Sequence, residues 1–322
     1  MLFAWDLPLM DGIMIYLAKK MPHLVAIMKQ QHHHLFTVLA CVLGGVAILV
    51  SLWSGIARYR VTRQAAERKE FFARFGIDSD GTREFVALPK ALTSNALSAR
   101  LGEALFVDKR LARSPYRVCG ACHRLNEGGI DARALDGHLP RTVYNAIFAD
   151  VFLHDGSVTG FPALVRHMIE SPDHCAGGPL SNVVARLAAD EKLRARFQTA
   201  YPDGLTEDNI LDAFDQYQRT LFSTGLPFDR WCAGRTNALN AVQTRGFDIF
   251  RKRKCTDCHY GPALGMLKVA DGKKVPGLRG LSQRRAYLPD ARVDLGAVLT
   301  LMPGGDLEAE DRRALTAFLK TL

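Results

Sequence analysis

The sequence predicts an all-α protein: one N-terminal transmembrane helix followed by two helical domains in tandem. Three observations carry this reading. Leu35 to Ala57 is an uncharged run of 23 residues. Downstream, apolar residues recur at spacings of three and four while strand-like alternation is scarce. A weak internal repeat divides the downstream part into halves. The length of 322 residues fits about two domains at roughly 150 residues each. A composition of 48% hydrophobic and 23% charged residues excludes wholesale disorder, a collagen-like chain and a polytopic membrane protein.

Residues 1–34 read as a cytoplasmic segment whose histidines 32–34 form a polar flank. Residues 35–57 are apolar all round and about long enough to cross a bilayer core, which takes about 20 residues. The competing reading, a cleaved export signal ending near Gly55 and Ala57, asks for a shorter run. Three Lys/Arg precede the run and five fall in the next dozen residues. The positive-inside rule therefore mildly favours a cytoplasmic downstream part, but large domains translocate largely regardless of charge. The cysteine chemistry below overrides the rule and places that part in the periplasm, on a single-pass anchor in the inner membrane.

Residues 58–90 read as a basic helical linker, 91–225 as the first domain and 226–322 as the second. In the repeat, Gly102, Leu105 and Phe106 precede one cysteine pair, and Gly246, Ile249 and Phe250 precede another. Leu226, Pro227 and Phe228 mark the boundary between the halves.

Four of the seven cysteines lie in Cys119-Gly120-Ala121-Cys122-His123 and Cys255-Thr256-Asp257-Cys258-His259. Both match C-x-x-C-H, the attachment motif for c-type haem. Two thiols three residues apart reach the two vinyl groups of one porphyrin, and the next residue brings an imidazole to the iron. A four-thiolate zinc site would leave both histidines unexplained, and a thioredoxin-like pair is not expected twice. The halves therefore read as two c-type cytochrome domains carrying two covalently bound haem c groups. For the sixth position of the second iron, Met302 is the best thioether candidate; Met266 lies too close to His259. For the first iron the candidates are His138, His154, His167 and His174.

From Leu101 onward the sequence resembles the bacterial di-haem cytochrome c peroxidase family, which includes the methylamine-dehydrogenase maturase. The resemblance rests on LeuGlyGluAlaLeuPheValAspLysArgLeu at 101–111, GlyGlyIleAspAla after the first motif, AsnAlaIlePhe at 145–148, AspGly at 155–156, LeuProPheAspArgTrp at 226–231 and ValProGlyLeuArgGly at 275–280. It implies a low-potential haem that meets hydrogen peroxide and a high-potential haem that takes electrons from a periplasmic donor, a small cytochrome or a cupredoxin. It puts His138 at the displaceable distal histidine and Met302 at the distal methionine. It also puts Arg279 at an arginine suited to pair with a haem propionate.

Departures accompany the likeness. The family's inter-haem tryptophan is His154 here, its active-site glutamine is Leu164, and its catalytic glutamate is His174, followed by Cys175. Leu164 cannot move a proton; His174 can, or it can bind the iron. Where the family holds calcium, this chain places Arg141, Arg284 and Arg285, so calcium is expected to be absent and the arginines to face propionates. Cys175 and Cys232 could pair in an oxidising compartment.

Three functions stay open: a peroxidase, a non-catalytic electron-transfer cytochrome with a bis-histidine first haem, and an oxidase of a partner protein. Met302 disfavours the last, because the maturase branch has tyrosine there. A homodimer is compatible with all three. The net charge of +9 divides into +4 over residues 1–63 and +5 over the remainder. Four haem propionates would offset most of the latter, so the balance does not argue for a nucleic-acid partner.

Overall fold

The computed structural model describes residues 19, 21–74, 77, 85–130, 140–265, 267, 269–284, 286, 287 and 294–322; in its first helix the side chains of residues 24–41, 47, 48, 64, 68 and 71 lie outside the description. Two units are distinguished, residues 1–66 and 67–322.

The first unit is built on helix α1, which starts at Pro22 and runs on to Ala73. One stretch of it, Val42–Glu67, is long and apolar enough to cross a membrane, with mean hydropathy 1.5. Leu49 and Trp53 within it are 66% and 75% exposed.

The second unit holds two hydrophobic cores of similar construction. In the first, α2 (Ala96–Phe106) lies across α6 (Glu207–Gln218), with α3 (Phe161–Glu170), α4 (Leu180–Ala188) and α5 (Glu191–Ala200) completing the shell. In the second, α8 (Ala241–Lys252) lies across α10 (Ala309–Leu319), supported by α7 (Pro227–Cys232) and the short α9 (Leu295–Leu299). Caps define the helix starts as the sequence dictates: Asn95 accepts from the amides of Leu97 and Ser98, and Asn240 and Gln243 form a capping box.

The internal repeat has a packing cause. A Cβ on Gly102 would sit 2.1 Å from the Ala213 carbonyl oxygen, and one on Gly246 would sit 2.0 Å from that of Ala314. Each glycine lets its helix touch the backbone of the last helix of its half. Gly246→Ala is therefore expected to cost about 1–3 kcal/mol, read as a lower urea midpoint, because a backbone carbonyl cannot swing aside as a side chain would.

A third, smaller cluster joins Phe72, Ile77 and Leu88 to Ala146, Phe148, Phe152 and Ala263. Part of the expected linker thus belongs to the packed unit. Phe85 sets its ring edge against Phe228 and Phe247, at centroid distances of 5.6 and 5.4 Å. Apolar residues at 72, 77, 85 and 88 drive this burial, past the basic residues between 58 and 69. Two small hairpins, β1 (Val151–Phe152) with β2 (Val158–Thr159) and β3 (Val269–Ala270) with β4 (Lys273–Lys274), are the sheets among the described residues.

Candidate functional site

Both C-x-x-C-H motifs form a single tight turn. Cys119–Cys122 is one helical turn, and the His123 amide donates to the Cys119 carbonyl at 2.9 Å. Cys255–Asp257 is a 3-10 turn entered through Lys254 in the left-handed region, and the His259 amide donates to the Cys255 carbonyl at 2.8 Å. In each turn the imidazole Nδ1 meets a backbone carbonyl a few residues on: His123 with Gly129 at 3.3 Å, His259 with Leu264 at 3.1 Å. A donated Nδ1–H fixes the ring and leaves Nε2 as the iron-facing nitrogen. The sequence offered no signal for these two carbonyls, because any residue can supply one.

The first motif opens on a cavity of about 760 Å³, inside the roughly 300–1,000 Å³ of ordinary ligand and cofactor clefts. Cys119, Cys122 and His123 lie along it, with apolar walls from Phe106, Val165, Ile169 and Phe214. Two thiols and an imidazole converging on an apolar cleft fit a covalently held porphyrin. At the second motif, Cys255 and Met302 pack against the same hydrophobic core, Met302 in the turn that follows α9.

His154, Leu164, His174 and Cys175 all line the first cavity. His174 sits in the turn after α3, its Nδ1 3.1 Å from the Ser171 hydroxyl and its ring 5.6 Å from that of His167. Burial pushes its pKa below the ordinary imidazole value; His167 and Arg117 push the same way and Asp173 opposes them. His154 is exposed at the tip of the β1–β2 hairpin. His138 lies outside the described residues, as do Met266 and Arg285.

Cys175 and Cys232 are not bonded to each other. Cys175 is buried beside the thiol of Cys119, and Cys232 is buried in the second core with Phe228. The pairing considered from the sequence fails because Cys175 lines the first cavity beside Cys119 while Cys232 packs inside the second core.

The cavity also has a cationic lining, with Arg141, Lys274 and Arg284 among its residues and Arg141 close enough to the other two to push both pKa values down. Lys274 comes from β4 and Arg284 from the segment after it, so the second half of the chain closes a cleft whose attachment cysteines lie in the first.

Arg279 is not among the lining residues. It is 2% exposed, its Nη1 pairs with Asp229, its Nε donates to the Pro262 carbonyl, and its Nη2 donates to the Val86 carbonyl at 3.1 Å. Asp229 also accepts from the amides of Leu88 at 3.2 Å and Leu226 at 3.1 Å. Asn145, fully buried, donates from Nδ2 to the Ser223 hydroxyl and the Arg279 carbonyl, both at 3.3 Å, and accepts from the Ser223 amide at 2.9 Å. The 145–148, 226–231 and 275–280 motifs thus meet in one buried polar junction.

A mostly helical fold with two haem-attachment turns, one of them on a porphyrin-sized cleft, defines a multihaem c-type cytochrome. A family model described as di-haem cytochrome c peroxidase matches residues 96–237. The methylamine utilization protein MauG of Methylorubrum extorquens is 31% identical over 333 residues, covering 88% of this chain and 93% of that protein. The chain belongs to the di-haem cytochrome c peroxidase and MauG family, whose members carry two haem c groups. The cytochrome c peroxidase Ccp of Escherichia coli K12 is 30% identical over 302 residues, and the match spans 80% of this chain but 65% of that protein. The match to the cytochrome c551 peroxidase of Nitrosomonas europaea spans 55% of its length. The fold is similar to that of a MauG-like protein associated with microbial copper homeostasis, with TM-score 0.61, 20% identity and coverage of 74% and 92% of the two chains.

Proposed function

We propose that the protein is a di-haem peroxidase that uses electrons from a donor to reduce hydrogen peroxide to water: His259 would hold the haem that receives the electrons and His123 the haem that meets peroxide. The observation that carries this reading is the convergence of Cys119, Cys122, His123 and His174 on one apolar cavity. When bound there, the haem supplies the redox-active iron at which peroxide is reduced. With Nδ1 held by Ser171, His174 keeps Nε2 to take a proton from peroxide and return it to the departing oxygen. The apolar wall at Leu164 excludes water on that side. His138 would be the displaceable ligand of the first iron, and Met302 the thioether of the second, raising its potential.

Residues 91–225 and 226–322 are proposed as two cytochrome domains, each built on its own core. The apolar stretch of α1 supports a single-pass anchor in the inner membrane, with the haem domains in the periplasm facing a small cytochrome or cupredoxin donor. The cationic lining of the cavity supports a protein without calcium.

A second reading draws on the same placement of His174: with its Nε2 on the iron, the protein would be a bis-histidine electron-transfer cytochrome. The spectrum of the half-reduced protein separates the two. A high-spin signal from the first haem that hydrogen peroxide alters is the expected result. Six-coordinate low-spin haem throughout, inert to peroxide, would overturn the peroxidase.

A further inference from the structure

Lys274 is the residue of the cavity whose burial the reaction leaves unexplained. It is 7% exposed, and its amide donates to the His154 carbonyl at 2.7 Å, which fixes β4 against the β1–β2 hairpin. Its ammonium lies 4.8 Å from the centroid of the Phe152 ring. A cation–π contact recovers only part of what burying an unpaired charge costs. Arg141 and Arg284 line the same cavity, and Arg141 is close enough to Lys274 and Arg284 to act on both charges. Arg284 donates to the Arg279 carbonyl at 2.7 Å, while the Arg141 Nε is buried with no partner among the described residues. Asp173, beside His174, is the one acidic residue among the described residues that line the cavity.

Three cations gathered at a cleft, without a carboxylate partner among the described residues, ask for an anion from outside the chain. Burial, reinforced by Arg141, pushes the Lys274 ammonium down to about 7, and burial pushes Arg284 down to about 10. Each would keep its proton more firmly beside a carboxylate. The anion must be dicarboxylic or paired, must sit within a porphyrin's reach of Cys119, Cys122 and His123, and must leave the Nε of Arg141 a partner. The two propionates of the first haem meet these conditions.

We infer that Lys274, with Arg141 and Arg284, forms the propionate-holding end of the first haem cavity, and that Lys274 is a positioning residue for that haem. The inference rests on haem attachment at Cys119 and Cys122 but is independent of peroxide turnover. A cation held at the propionates disfavours the ferric state, so its removal lowers the reduction potential of the first haem.

The test is a potentiometric titration of the membrane-extracted full chain carrying both haems. The first-haem wave is identified as the one lost in the Cys119→Ser/Cys122→Ser variant. Lys274→Met is expected to shift that wave to lower potential and move the second wave less, while Lys274→Arg holds it near the wild-type position. Haem attachment by mass spectrometry is the second readout, and loss of the first haem in Lys274→Met but not in Lys274→Arg also supports the inference. An unmoved first wave in Lys274→Met, or equal effects of the two variants on wave or attachment, would overturn it. Since the wild-type protein in the same experiment reports whether haem is attached at all, failure of the haem assignment is distinguished from failure of the role of Lys274.

Discussion

Arg279→Met is expected to lower the unfolding free energy by about 3–5 kcal/mol, because it strands the Asp229 carboxylate in a dry interior. Asp229 is 3% exposed and would keep only the Leu88 and Leu226 amides as partners. Asp229→Leu should be comparably damaging, and the double variant less so than the sum of the two, since removing both charges leaves neither uncompensated. Urea unfolding at equal haem content measures all three. If Arg279 instead held a propionate, as the sequence suggested, Arg279→Met would shift a haem potential and its stability cost would simply add to that of Asp229→Leu. Strict additivity would therefore remove the buried-pair account.

His174→Ala is expected to reduce peroxide turnover about 10²–10⁴-fold with both haems still attached. The pH dependence follows from the direction of its shift. The neutral imidazole is the proton acceptor, and burial holds its pKa below the ordinary value, 6.5. Activity should persist as the pH falls through that value and fail only as it crosses the lowered pKa. Folding stability moves the same way: the unfolded chain binds the His174 proton first, so this residue's contribution is complete above pH 6.5 and is lost below it. Turnover that survives His174→Ala, or a variant whose first haem changes from low to high spin and gains peroxide activity, would remove the acid–base role; the latter outcome would make His174 an iron ligand.

The two C-x-x-C-H turns were legible in the sequence, because their residues follow one another at fixed spacing along the chain. The paired crossings at Gly102 and Gly246 were half legible: the repeat could be seen, but Ala213 and Ala314, which require it, lie over 60 residues away from their glycines. Arg279 was legible as special, but its pairing with Asp229 was not, since an arginine that meets a carboxylate side chain reads the same as one that meets a propionate. Lys274 was invisible. It follows exposed Lys273 in a Gly-Lys-Lys turn, and only the pairing of β4 with β3 decides which of the two ammonium groups turns inward. Cys175 shows the same limit, because cysteine counting has no access to where in the fold each thiol is buried.

The closure of the first cavity by Lys274, Arg284 and Tyr287 has a consequence for how the protein is made. During synthesis, Cys119 to His123 emerge roughly 150 residues before Lys274. A haem joined to those thiols at that moment would have its carboxylate edge in water. Burial of such a porphyrin would then wait for the distant C-terminal segment that supplies Lys274, Arg284 and Tyr287 to the cavity wall.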